Sequence, residues 1–174
     1  NPFRERALER FQAPQDPVEM ATFSSTQISS KLFQVKVGGD VAAIKGIIKC
    51  LLAMDQQAQA QNLPAVLDWT FIKGHTSGFD EMAADVNRTS WADIERVSGL
   101  SQADLQLAAD AYAKADSAIL VYGMGITQHR HGTHNVRQVA NLALLRGNVG
   151  KEGAGICPVR GHSNVQGDRT VGIT

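Results

Sequence analysis

The residues best suited to chemistry stand in the last third of the chain. Tyr122-Gly-Met-Gly-Ile-Thr-Gln-His129 and Gly161-His-Ser-Asn-Val-Gln-Gly-Asp-Arg-Thr170 gather glycines, amides, histidines and arginines where a packed core would want apolar side chains. Glycine lets a backbone bend through positive φ and bring bare N–H groups against a bulky ligand. The stretch therefore reads as a ligand cradle. Charge points the same way. Residues 129–174 carry six cationic side chains (Arg130, Arg137, Arg146, Lys151, Arg160, Arg169) against Glu152 and Asp168, a surplus of four, whereas residues 1–128 carry eleven against fifteen. The net charge of zero hides a polarised molecule. That polarity fits an anionic partner at the C-terminal end, although a charged surface without a ligand would look similar.

Three motifs recur in the argument. Gly38-Gly39-Asp40 follows an alternating run and precedes a helical stripe. A helix N-terminus favours anions, but Asp40 would repel phosphate, so it either caps the helix or accepts from a sugar hydroxyl or a base N–H. Gly123-x-Gly125-x-x-Gln128 departs from the dinucleotide fingerprint at its third glycine, which removes most support for NAD. Met124 and Gln128 still offer a soft apolar contact beside a two-way hydrogen-bonding amide. Arg160, in Pro158-Val-Arg-Gly161-His162, carries a guanidinium able to grip a carboxylate or phosphate through two bonds. Alone it would read as a surface arginine; with Asn164, Gln166, Asp168 and Arg169 behind it, the segment reads as a binding loop. His131 and His134 are spaced to face one way, but the His-Glu-x-x-His order is absent and Arg130 and Arg137 would oppose a cation. Histidines that bond locally or meet an anion fit better.

The elements that must position these residues follow from periodicity. Residues 1–30, with Pro2, Pro14 and Pro17 and a polar run at Ser24 to Ser30, form a connecting segment. Leu32 to Val37 alternates like a strand, and Val41, Ile44, Ile48, Leu51 and Leu52 then share one helical stripe. From Leu63 to Arg96, short helices are broken at Pro64, Gly74 and Gly78. Ser101 to Asp104 opens a further helix through a capping box, with Leu105, Ala108, Tyr112 and Ala115 behind it. Ala118 to Tyr122 suits a buried parallel strand that delivers Gly123-Met124-Gly125 at its carboxyl end. A helix over His134 to Arg146, closed by Gly147-Asn148, precedes irregular chain.

The fold class expected is α/β: a partial doubly wound parallel sheet with flanking helices, the helix-rich part of a Rossmann-like domain ending in a glycine-rich binding loop. The organisation expected is a single fragment over 1–174, with connecting segment 1–30, α/β body 31–147 and cofactor-binding loop 148–174. With 43 % apolar and 20 % charged residues the composition is that of an ordinary soluble domain. No membrane span is expected, since the most apolar window, Val41 to Met54, is interrupted by Lys45 and Lys49. Nothing at the start resembles a signal peptide, so the expected location is the cytoplasm. Cys50 and Cys157 form no Cys-x-x-Cys pair, which excludes an iron–sulfur cluster or zinc knuckle built from this chain alone. The basic end lacks the aromatic ladder of a nucleic-acid binder. A first residue other than methionine, and an end inside the glycine-rich run, read as a piece of a longer protein.

Gly123-Met-Gly-Ile-Thr-Gln-His129, Asn148-Val-Gly-Lys-Glu-Gly-Ala-Gly155 and Pro158-Val-Arg-Gly-His-Ser-Asn-Val-Gln-Gly-Asp-Arg-Thr170 resemble the molybdopterin oxidoreductases, in particular their formate-dehydrogenase-like alpha subunits. Asn1-Pro-Phe-Arg4, Gly38-Gly-Asp40 and His75-Thr-Ser-Gly78 add weaker matches. The resemblance implies part of an α/β domain that binds bis-molybdopterin guanine dinucleotide carrying molybdenum. It implies cofactor contacts at Gly38, Gly39, Asp40, Met124, Gly125, Gln128, Gly161, His162, Asn164 and Gln166, with Asn1 and Arg4 as further matches. It implies catalytic roles for Arg160 and His162, and no molybdenum ligand among these residues. Molybdenum ligation, and any [4Fe-4S] cluster, would lie upstream of Asn1, so this piece would be inactive alone. The partners implied are the remaining domains of the parent chain, a small substrate and an electron acceptor. His162 and Ser163 stand where formate dehydrogenases carry glutamine and asparagine, so the resemblance leaves the substrate open between formate and another small molecule. Two other classes fit the residues: a non-catalytic nucleotide-binding module, and a small hydrolase using the histidines around Arg130.

Overall fold

The computed structural model describes residues 8–162 and 165–172. In chain order these form β1 (Arg10–Phe11), α1 (Pro17–Thr22), β2 (Thr26–Gln27), α2 (Asp40–Ala60), α3 (Trp69–His75), α4 (Phe79–Arg88), α5 (Trp91–Ser98), α6 (Gln102–Lys114), β3 (Ile119–Tyr122), α7 (Met124–Thr127), α8 (Gly132–Leu145), β4 (Gly155–Pro158) and α9 (Val165–Thr170). The chain is mixed α/β and rich in helix. Its two sheets have two strands each, β1 with β2 antiparallel and β3 with β4 parallel.

α2 is the spine, touching α4, α5, α6 and α8. Its apolar stripe supplies Ile48 and Leu51, both fully buried, to a core completed by Val86, Ala109 and Leu142. Gly46 explains how close the helices come. A Cβ there would stand 2.6 Å from Leu105 Cδ1 and 3.0 Å from Ile94 Cγ2, side chains with no exposed surface. The two lysines that interrupt α2's apolar run are placed by α4. Lys45 pairs with Asp85 at 2.7 Å, and Lys49 donates to the carbonyls of Asn87 and Thr89 at the end of that helix, where free C=O groups attract a cation. Asp55 is buried as well, and its carboxylate accepts from Val66 N, Leu67 N, Trp69 Nε1 and Gln59 Nε2 at 2.6–3.0 Å. One carboxylate thus shapes the turn into α3.

Several expectations hold in place. The capping box at Ser101 and Asp104 is present, the short helices α3 and α4 flank the turn before Gly78, and Gly147 takes the left-handed cap at φ 59°. Others are corrected. Residues 31–36 form no strand; Val35 N turns back to Phe33 O and Lys36 N bonds to Ser98 O, so no neighbouring strand among the described residues completes a ladder. β3 is not buried, with Ile119 58 % and Val121 64 % exposed, because a two-stranded sheet leaves one face uncovered. The stretch beyond α8 is not irregular throughout, since β4 and α9 lie in it. Residues 1–30 include β1, α1 and β2 rather than only a connecting strand of chain. Cys50 and Cys157 are free thiols. Among the described residues no helix is long and apolar enough to cross a membrane.

Candidate functional site

β3 and β4 pair in parallel from Ile119 with Gly155 to Tyr122 with Pro158, and α8 makes the crossover between them. Asn148 fixes the start of this unit. Fully packed, it accepts from Ala118 N through Oδ1 (3.2 Å) and donates from Nδ2 to the Tyr112 hydroxyl (2.8 Å), which itself donates to Leu142 O. Burial raises the Tyr112 phenol above its ordinary value, so the hydroxyl stays a donor in this chain of bonds.

At the opposite, carboxyl end the strands open into the two glycine motifs. Val159 N donates to Tyr122 O at 2.7 Å, continuing the ladder one step. Gly123 caps α7, a single turn closed by Gln128 N to Met124 O at 2.8 Å. Gly161 lies under Met124: a Cβ at Gly161 would sit 3.2 Å from Met124 Cε. The Met124 turn and the Arg160–His162 segment are therefore neighbours. Met124 (45 % exposed), Gly125, Gln128, Arg160, Gly161 and His162 all meet solvent, and nothing approaches within 4 Å of the place a Cβ would take on Gly125. These residues are exposed, and the glycines leave bare backbone at this end of the strand pair.

The third motif reaches His129, the residue after Gln128, from α2. Asp40, the first residue of that helix, has Oδ2 3.8 Å from His129 Nε2. Between α2 and the Met124 turn runs an apolar cleft of about 240 Å³ lined by Phe33, Val35, Ile44, Leu105 and Ile126, with Asp40 as its carboxylate. Gly38 supplies a left-handed bend at φ 79°. Gly39 is explained by packing: a Cβ would stand 2.6 Å from Val97 O, and its N–H is already donated to Lys36 O at 2.8 Å. The motif thus offers the face a carboxylate, with the glycines making the bend.

His131 and His134 lie side by side, ring centroids 6.2 Å apart, on a separate cleft of about 450 Å³ that also takes in Lys45, Asp93 and Gln138. Among the described residues no group of three or more His, Cys, Asp or Glu side chains is arranged to hold a metal. Asn1, Arg4 and Asn164 lie outside the described residues, as does the side chain of Gln166; the backbone of Gln166 is in α9. Sequence reasoning missed Asn135. It is fully buried on α8 and bonded to both Ile126 and His129. Its signal was an amide beside the apolar face of Val136, Val139 and Ala143, one of three amides in α8 with Gln138 and Asn141.

β3, α8 and β4 thus make a parallel strand pair with a helical crossover and a polar, glycine-bearing carboxyl end, and ligands of open α/β sheets collect at strand carboxyl ends. Residues 20–171 match the family model of the molybdopterin oxidoreductases, and the chain belongs to that family. It is 59 % identical over 174 residues to protein YdeP of Escherichia coli K12, covering all of this chain and 23 % of YdeP. It is 35 % identical over 152 residues to formate dehydrogenase H of the same organism, covering 87 % of this chain and 19 % of that protein. The F420-dependent formate dehydrogenase subunit alpha of Methanocaldococcus jannaschii is 32 % identical over 152 residues, 87 % of this chain and 21 % of the relative. The chain thus spans about a quarter or less of the length of these relatives.

The donor set suits the family's molybdopterin: such a ligand needs backbone that approaches closely, acceptors for ring N–H groups and donors for phosphate, chemistries that Gly125, Asp40 and Arg160 carry.

Proposed function

We propose that this chain is part of a molybdenum-dependent oxidoreductase resembling formate dehydrogenases, contributing one wall of a bis-molybdopterin guanine dinucleotide site. The observation that carries this is the closeness of Met124 to Gly161, where an added Cβ would stand 3.2 Å from Met124 Cε, which brings together two motifs 37 positions apart at one end of the β3–β4 pair. When bound, the cofactor supplies a metal that accepts or gives two electrons. In this reading Asp40 accepts from a base N–H or ribose hydroxyl, and Gln128 bonds the ligand through its two-way amide. Gly38, Gly123 and Gly125 keep the approach free of side chains. Arg160 orients a small anionic substrate and stabilises the charge that develops on it, with His162 beside it. The catalytic ligand to molybdenum and any iron–sulfur cluster belong to other parts of the parent chain.

The test is made in the full-length protein. Arg160→Ala is expected to leave molybdenum and pterin content at the wild-type level while lowering turnover about 10²–10³-fold, the usual loss on removing one stabilising donor. Unchanged turnover at equal metal content removes Arg160 from the site. A wild-type protein free of pterin and molybdenum supports the non-catalytic nucleotide-binding module instead.

A further inference from the structure

Asn135 sits in the second turn of α8, wholly inaccessible, and both hydrogens of its amide are engaged. Nδ2 donates to the Ile126 carbonyl at 2.8 Å and to Nε2 of His129 at 2.6 Å. The orientation of the amide follows from the partners. Turning it over would set Oδ1 against the Ile126 oxygen, two acceptors with no proton between them. Nε2 of His129 is therefore the acceptor, and the ring proton resides on Nδ1. Asp40 does not compete for this nitrogen, since its Oδ2 lies 3.8 Å away, beyond hydrogen-bond length. Nδ1 meets no acceptor among the described residues, and the ring is 24 % exposed.

Two further features show that the clamp is built in. Gly132 opens α8 where any Cβ would lie 2.1 Å from Thr127 O, so the helix is pressed directly onto the Met124 turn. Oδ1 of Asn135 is buried without a partner, a cost that an apolar side chain at this position would avoid.

We infer that Asn135 is a positioning residue and His129 a further ligand contact. By fixing the His129 tautomer, Asn135 presents Nδ1–H as an uncharged donor to a phosphoryl or carbonyl oxygen bound on the face formed by Met124, Gln128 and Asp40. The same amide holds the Ile126 carbonyl, and with it the turn that carries Met124 and Gln128. This inference rests on the proposal that the face receives a pterin dinucleotide.

The experiment uses full-length protein labelled with ¹⁵N-histidine, the His129 resonances being assigned by their loss in His129→Asn. The expected wild-type spectrum shows His129 protonated on Nδ1 and not on Nε2, and Asn135→Leu abolishes that preference. Pterin retained after exhaustive dialysis falls about tenfold in Asn135→Leu and in His129→Phe, the loss expected for one hydrogen bond. His129→Asn, whose amide N–H takes the position of Nδ1–H, retains it. Should Asn135→Leu not accumulate, the His129→Phe and His129→Asn pair on the surface decides. Protonation on Nε2 in the wild type, or equal retention in all variants, overturns the inference while leaving the proposed cofactor site standing. A wild-type protein without pterin overturns both.

Discussion

The helical body around α2 and the carboxyl end of the β3–β4 pair spend their glycines and polar groups in opposite ways. In the body, Gly46 is bare because Leu105 and Ile94 fill the space, and Asp55 is surrounded by four donors. At the strand ends, Gly125 is bare with nothing in front of it, and Arg160, Gln128 and His162 face solvent. The saturated region answers to stability, and the unsaturated one is where the proposed ligand would bind. The same residue types therefore carry different meanings within one chain.

Substitutions separate the two behaviours, and the largest effect belongs to Arg160→Ala, which should lower turnover by the factor given above without moving the unfolding midpoint. Next comes Asp55→Ala. It strands Val66 N, Leu67 N and the Trp69 indole, and is expected to cost about 3–4 kcal/mol in urea denaturation. A loss under about 1 kcal/mol would show that water replaces the carboxylate. Gly46→Ala should cost about 1–3 kcal/mol by overpacking two fully buried side chains. Gly125→Ala should change stability by less than about 1 kcal/mol, because it adds a methyl in open space within a helical turn, yet lower pterin retention. A stability loss there as large as that at Gly46 would erase the contrast.

The thiols give the mildest test. Burial, with the negative charge of Asp110 behind it, pushes Cys50 up to about 11, whereas Cys157 is exposed. At pH 8 a thiol reagent should label Cys157 at once and Cys50 only after unfolding, as read by peptide mapping. Because the folded value is raised, the stability Cys50 contributes is complete below pH 9.0, the ordinary thiol value, and fades as pH climbs towards about 11.

Much of the body was legible because its signals are local. Hydrophobic spacing marked α2, α6 and α8, Ser101 with Asp104 marked a cap, and Gly147 marked a stop. The strand expected at 32–37 was not, because alternation describes one face and a ladder needs a neighbour that no local pattern supplies. The exposure of β3 escaped for the same reason: an apolar run records the surroundings of a whole sheet. Residue type marks Met124, Gln128 and Arg160 only as candidates, and Gly39 reads identically whether it clears space for a ligand or for the Val97 carbonyl. Asn135 was invisible to motif reading because its partners, Ile126 and His129, are reached only once α8 folds back on the Met124 turn.

Asn148 makes the face depend on a distant amide. By gripping Ala118 N it sets which residue of the strand comes first. A slip of one position along β4 would rotate Leu120 and Tyr122 outward and carry Gly123 out of line with Val159, since side chains alternate faces with period two. Alignment of the end proposed to bind the ligand is thus decided at the other end of the strand.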